Sequence, residues 1–268
     1  MKRVERYYDN NTLREWQRLE RHRTEYALTL RALARHLPPA PARIADIGGG
    51  PGRYAIPLTQ QGYAVTLLDL SAGNLAFAQD KAAEAGVTLA EVVCGNALDL
   101  AQFADESFDA VLLLGPLYHL VVEDQRRGAV RESLRILKPG GMLAAAFINR
   151  LAVVRWAASE DPLWPIEKPD EVERLMSTGV NEDQGAGFTD AYFCHPDEIT
   201  PLMESCGLHT VELVGCEGAV SRLEAHINAL EGAAFEAWAD LNERIARDPT
   251  LLPSAEHLLY IGRKLPPR

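Results

Sequence analysis

Apolar positions change their period along this chain, and the changes mark its elements. From Thr12 to Leu37, the residues Leu13, Trp16, Leu19, Tyr26, Leu30, Leu33 and Leu37 recur at helical spacing, which predicts one amphipathic helix. Pro38-Pro39-Ala40-Pro41 ends it, because proline fixes φ and offers no N–H. Beyond the prolines, short apolar runs alternate with helical stretches. Ile44–Ile47, Ala64–Asp69, Glu91–Cys94, Asp109–Leu114 and Met142–Ile148 read as five strands. The fourth is apolar from Ala110 onward, as in a strand buried on both faces. Between them fall a helix starting near Gly52, one N-capped by Ser71 and carrying Leu75, Ala76, Phe77 and Ala82, and one from Asp124 to Leu137. Lys138-Pro139-Gly140-Gly141 reads as the stop and turn after that last helix. Strands alternating with helices predict βαβ units and a parallel sheet.

The rhythm breaks after Asn149. Residues 151–195 hold Trp156, Trp164, several prolines and Gly185-Ala186-Gly187, which read as a lid insertion. It resumes with a helix over Pro196–Cys206 and a strand over His209–Val214. A mainly helical insertion follows at 219–250, and His257–Gly262 is the last strand. The expectation is one α/β domain over 1–268, doubly wound, with a mostly parallel seven-stranded sheet. A helical cap occupies 1–42, the ligand-binding core 43–150, the lid 151–195, and the rest of the core 196–268.

Composition narrows the setting. A chain of 268 residues can bury a sizeable core, and no apolar run approaches the ~18 residues of a membrane span. Met1–Asp9 lacks the apolar stretch of a signal peptide, so a cytoplasmic location without membrane attachment is expected. Cys94, Cys194, Cys206 and Cys216 form no C-x-x-C pair, so reduced thiols are expected, and no metal site. The net charge of −11 repels phosphate backbones, and the arginines of the first helix are interleaved with Glu15, Glu20 and Glu25. No nucleic-acid partner is expected.

The strongest local signal is Asp46-Ile47-Gly48-Gly49-Gly50-Pro51-Gly52, placed between a strand and a helix. Glycines there let the chain turn tightly and let a ligand approach the backbone. A dinucleotide fingerprint counted from Gly48 and Gly50 requires glycine or alanine at position 53, which is Arg53. Asp69 ends the second strand, where a carboxylate can accept hydrogen bonds from both hydroxyls of an adenosine ribose. That geometry suits several adenosine ligands, so an NAD(P)-dependent oxidoreductase and a non-catalytic adenosine-cofactor-binding module stand as alternatives.

With Leu67–Ser71, Cys94–Leu98, Phe108–Leu120 and Leu137–Gly141 following in order, the chain resembles the class I S-adenosylmethionine-dependent methyltransferases, of the type acting on small molecules. Their core is Rossmann-like, and the resemblance covers somewhat more than half of the chain. It implies S-adenosyl-L-methionine as cofactor. Asp46, Gly48, Gly50 and Gly52 would face its methionine part, Asp69 and Leu70 the ribose, Asn96 and Ala97 the adenine, and Leu114 would pass along it. Asn96 stands where the family usually has an acidic residue.

Methyl transfer from a sulfonium needs chiefly a positioned nucleophile and excluded water, with a base where the acceptor must lose a proton. The loop Gly115-Pro116-Leu117-Tyr118-His119-Leu120 follows the fourth strand, where the family brings acceptor and methyl group together. His119, titratable near neutrality, is the candidate base or positioner, with Tyr118 beside it. Aromatic and polar side chains of the cap and lid should enclose a small-molecule acceptor; Tyr8, Trp16, His22, Tyr192 and His195 are assigned to that pocket.

Overall fold

The computed structural model describes residues 2–181 and 189–266; the Gly185-Ala186-Gly187 part of the expected lid lies outside them. The chain opens with helices α1 (Lys2–Asp9), α2 (Thr12–Arg21) and α3 (Arg23–His36). The core runs β1 (Arg43–Ile47), α4 (Ala55–Gln60), β2 (Ala64–Asp69), α5 (Ala72–Glu84), β3 (Glu91–Cys94), β4 (Phe108–Leu113), α6 (Glu123–Ile136) and β5 (Leu137–Ile148). The first insertion holds α7 (Arg150–Glu160), α8 (Trp164–Glu167), α9 (Pro169–Thr178), β6 (Val180–Asn181) and β7 (Ala191–Tyr192). After it come α10 (Pro196–Ser205), β8 (Leu208–Gly215), α11 (Glu224–Asn228), α12 (Gly232–Ile245) and β9 (His257–Lys264).

Seven strands form one sheet in the order β3-β2-β1-β4-β5-β9-β8, and β6 pairs with β7 separately. The first five are mutually parallel, and β9 runs antiparallel to both β5 and β8. The expected α/β sheet is therefore present, with its strand order reversing between β1 and β4. Side chains of β1 and β4 alternate between two buried clusters. Ile44 and Leu112 pack under α3, α4, α5 and α12, while Ala45 and Val111 pack under α6 and α10. Each fully buried leucine or isoleucine contributes about 1.5–3 kcal/mol. Ala157, Trp164, Leu175, Ala191 and Phe193 give the first insertion a small core of its own.

Three expectations need correction. The helix predicted over Thr12–Leu37 is two helices, because the His22 backbone (φ −117°, ψ 57°) leaves the helical region between α2 and α3. Its side chain is drawn instead to Glu224, 2.8 Å away. The helix expected from Gly52 begins only at Ala55 and is six residues long. Lys138–Gly141 bulges within β5: Phe108 pairs with Leu137 and Ala110 with Met142, so four residues stand opposite Asp109 alone. Ser71 does cap α5, accepting from the Asn74 N–H at 3.0 Å.

A buried charge network fastens the cap to the sheet. Arg18 donates to both oxygens of Glu25, at 2.7 and 3.0 Å. His257 Nδ1 lies 2.5 Å from Glu217 and 3.5 Å from Glu25. Glu217, fully buried, also accepts from the backbone N–H groups of Glu256 and His257. The donor atoms of Glu25, Glu217 and His257 lie within 4.8 Å of one another, and Arg18 and His257 supply the positive charge that balances them. Burial alone would depress His257, but the charges of Glu25 and Glu217 outweigh it and raise its pKa to about 9.

This gives a stability prediction. His257 binds its proton more tightly folded than unfolded, so its contribution is complete below pH ~6.5 and is lost as pH rises toward 9. Urea denaturation should show stability falling across that window with a slope approaching about 1.4 kcal/mol per pH unit, and His257→Gln should flatten it. An unchanged slope in the variant would remove His257 from the network's energetics.

Candidate active site

A cavity of about 980 Å³ lies at the carboxyl ends of β1, β2 and β4, where the strand order reverses, and α1 and α2 wall its far side. Among the assigned residues, Tyr8, Asp46, Gly48, Gly50, Asp69, Leu70, Asn96, Ala97, Leu114, Tyr118 and His119 all line it. Gly52 stands just behind, where a Cβ would lie 3.2 Å from that of Ala78.

The glycines answer two separate demands. Gly48, Gly50 and Gly52 have φ of +69°, +57° and +83°, where a side chain is strained. Gly48 and Gly115 also let two loops touch. A Cβ on Gly48 would fall 2.5 Å from Pro116 Cγ, and one on Gly115 2.9 Å from the Gly48 carbonyl oxygen. Gly50 has open space instead, its nearest neighbour being Asn74 at 3.8 Å. Asp69 fixes the loop from the side: one oxygen accepts from Gly50 N and the other from Ser71 N, each at 2.9 Å. Burial raises the Asp69 pKa, and these two backbone bonds pull the other way.

Asp46 is fully buried beneath Gly49, and among the described residues neither carboxylate oxygen has a hydrogen-bond partner. Burial, reinforced by the Asp69 charge, pushes its pKa to about 7. An unsatisfied buried carboxylate costs free energy unless a ligand meets it, so the cavity is built for a group with N–H donors beside the glycine loop. An amino-acid ammonium fits that demand. Asn96 uses its amide oxygen locally, accepting from Leu98 N at 3.0 Å.

On the other wall, Tyr8 Oη lies 2.7 Å from His119 Nε2, and the Tyr118 ring packs edgewise on His119. His119 does not titrate near neutrality as expected. Burial drives its pKa down to about 4, partly offset by a hydrogen bond with the Asp190 backbone. The imidazole is neutral at physiological pH, and α1 supplies its partner.

Four residues expected in the pocket lie elsewhere, each held by a stronger local partner. Trp16 packs on Phe77 at 5.6 Å and carries the Arg53 guanidinium on its face at 4.5 Å. His22 pairs with Glu224. Tyr192 lies under Arg126 at 3.5 Å and donates to Glu198. His195 caps α10, its Nδ1 accepting from Asp197 N at 3.3 Å in a capping box. Val4, Glu5, Glu15, Arg18, Arg53 and Asn74 reach the cavity without having been singled out. Arg53, met only as a departure from a dinucleotide fingerprint, was the one the sequence had marked.

The reversed strand order, the glycine turn and the acid ending β2 define an adenosyl-ligand-binding protein of the Rossmann-like class. Residues 45–145 match a family described as a methyltransferase domain. A ubiquinone biosynthesis O-methyltransferase of Methylobacterium nodulans is 32% identical over 181 residues, 68% of this chain and 65% of that protein. The chain thus spans just under two thirds of that relative's length. A probable tRNA methyltransferase 9B of Bos taurus is 31% identical over 61% of this chain and 32% of its own. In fold, an S-adenosylmethionine-dependent methyltransferase from Methanosarcina mazei superposes with a TM-score of 0.60 at 20% identity, covering 87% of this chain and 97% of its own. Residues 45–145 thus carry a methyltransferase domain, and the chain shares its fold with S-adenosylmethionine-dependent methyltransferases.

The loop geometry separates two glycines by mechanism. Gly48→Ala adds a clash with Pro116 to an unfavourable φ, and should cost about 3 kcal/mol or more of stability along with S-adenosylhomocysteine binding. Gly50→Ala carries the backbone cost alone, about 1–2 kcal/mol. Thermal denaturation and calorimetry on the two variants check the ranking; equal losses would refute the loop-contact argument.

Proposed function

We propose that the protein transfers the methyl group of S-adenosylmethionine to a small-molecule acceptor. The observation that carries this reading is the bond between Tyr8 of α1 and His119 of the loop after β4, which ties the N-terminal cap to the cavity wall. The cavity, about 980 Å³ with the space open to solvent counted in, is walled on one side by α1 and α2, a shape that suits a small acceptor. The net charge of −11 adds an unfavourable field for a nucleic-acid backbone. The relative named as a ubiquinone biosynthesis O-methyltransferase supports an oxygen atom as acceptor; the one named for tRNA aligns over only a third of its length. Four free cysteines suit a cytoplasmic setting, and among the described residues no helix is long and apolar enough to cross a membrane.

When bound, the cofactor supplies a sulfonium methyl group to the acceptor's lone pair. The residues divide around it as follows. Asp46, beneath Gly48, Gly50 and Gly52, pairs with the ammonium of the methionine part. Asp69 and Leu70 hold the ribose, Asn96 and Ala97 the adenine, and Leu114 lies along it. Tyr8, Tyr118 and His119 form the acceptor wall. His119 is a weak base at a pKa of about 4, so it orients rather than deprotonates.

Three outcomes follow. Asp46 is neutral below pH ~7 and cannot then pair with an ammonium, so calorimetric affinity for S-adenosylhomocysteine should rise with pH toward 7 and level off above it. The fall below 7 should approach about tenfold per pH unit, and Asp46→Asn should flatten it; a pH-independent wild type would contradict the pairing. Asp69→Ala should cost about 1.5–3 kcal/mol per ribose bond lost. With methyl-labelled S-adenosylmethionine and a cell extract, label should appear in the low-molecular-mass fraction. Label entering tRNA would overturn the small-molecule reading.

A further inference from the structure

The proton positions in the Tyr8–His119 pair follow from its surroundings. Burial, reinforced by neighbouring Tyr118 and Glu15, raises the Tyr8 pKa well above that of an ordinary phenol, so Tyr8 keeps its proton. His119 is neutral, and a neutral imidazole has one donor nitrogen and one acceptor nitrogen. Its hydrogen bond with the Asp190 backbone favours the protonated ring, which is the effect of a carbonyl accepting an N–H. Nε2 faces the Tyr8 hydroxyl at 2.7 Å. A phenol O–H is a stronger donor than a neutral imidazole N–H, so the pairing that suits the 2.7 Å contact has Nε2 accepting the Tyr8 proton and the ring proton on Nδ1. A phenol oxygen whose only proton is committed in this way can offer a third group nothing but its lone pairs.

The element carrying Tyr8 is fixed at both ends. Arg3 pairs with Asp190 at 3.1 Å, on the segment that also bonds His119. Asp9 accepts from Ser71 Oγ at 2.5 Å and from Gly73 N at 3.4 Å, at the start of α5 beside Asp69. Val4 and Glu5 of the same helix line the cavity. Tyr8, which lines the cavity, is thus held between the α5 end of the site and the Asp190 segment.

We infer that Tyr8 is the catalytic residue that touches the acceptor, its phenol oxygen held by His119 as a hydrogen-bond acceptor toward an O–H or N–H of the substrate. His119 is a positioning residue that acts through Tyr8; the acceptor keeps its proton while the methyl group is transferred, and the resulting oxonium or ammonium then releases it to water, since neither Tyr8 nor His119 is basic enough to take it first. The inference rests on the proposed acceptor wall and narrows the acceptor to molecules that carry a hydrogen-bond donor at or beside the methylated atom, such as neutral phenols, alcohols and amines. An acceptor arriving as a thiolate or phenolate would meet lone pairs on Tyr8, and the carboxylates of Glu5, Glu15 and Asp69 around the same cavity.

The test uses the full chain with S-adenosylhomocysteine bound, and catechol, a neutral phenol with two O–H donors, as the probe. Nitrogen-15 NMR of the imidazoles should show His119 as the Nδ1–H tautomer, and Tyr8→Phe should move Nε2 toward an unbonded imine nitrogen. Catechol should bind about tenfold more weakly to Tyr8→Phe and to His119→Ala. In His119→Gln, whose amide oxygen can accept the Tyr8 proton, the loss should stay under about threefold. The Nε2–H tautomer, equal catechol affinity in Tyr8→Phe, or no catechol binding to the wild type at millimolar concentration would each overturn the inference. A wild type that fails to bind S-adenosylhomocysteine would instead count against the cofactor assignments, which keeps the two failures apart.

Discussion

Everything at this site depends on two loops touching backbone to backbone. β1 and β4 are neighbours in the sheet, and their trailing loops leave from the same edge. They approach so closely that Gly48 leaves no room for a methyl group before Pro116, and Gly115 none before the Gly48 carbonyl. The glycine loop positions the cofactor; the β4 loop carries Tyr118 and His119. Contact between them sets the distance between donor and acceptor walls by hard-sphere repulsion, which is stiffer than any hydrogen bond. The strand-order reversal provides the crevice, and the glycines at 48 and 115 set its width.

Charge is the second constraint. Asp46 and Asp69 stand on adjacent parallel strands, and burial together with their mutual repulsion keeps Asp46 from ionising fully. Asp69 is tempered by the N–H groups of Gly50 and Ser71. Asp46 has no such relief among the described residues. The protein thus holds an unfavourable carboxylate at the cavity, and under the proposed pairing a cationic ligand would relieve that cost on binding.

The core was legible in the sequence because each of its strands is short, apolar and bounded by turn residues. β2 and β3 fall where the pattern puts them, and the Ser71 cap and the Asp46–Gly52 loop could be located from residue types alone. What could not be read was anything decided by a partner distant in the chain. His22 breaks a helix that its local spacing favours because Glu224, about two hundred positions away, takes its side chain. Trp16, Tyr192 and His195 look like pocket residues by type, yet each is claimed by packing, a cation or a helix cap. His119 was found by its position after β4, but its protonation state was not. That depends on burial and on the Asp190 backbone about seventy positions away, which local sequence does not show.

The cap divides its work between its helices accordingly. α2 and α3 bring Arg18, His22 and Glu25 into a buried network with Glu217, Glu224 and His257, so the charges that could have served the cavity are spent on anchoring. Arg18 still borders the cavity, but its guanidinium is committed to Glu25 and Glu15. α1 has no comparable buried charge network among the described residues; it is tied by the Tyr8–His119 bond, an exposed ion pair at Arg3 and the Asp9 contacts with α5. Exposed pairs of that kind contribute little, about 0–1 kcal/mol, whereas breaking a buried pair costs about 3–5 kcal/mol. The proposed acceptor contact thus sits on α1, while α2 brings Glu15 and Arg18 to the same cavity already paired with each other. A substrate wall built this way can differ between related enzymes by changes in α1 alone, leaving the network and the loop contact beneath it intact.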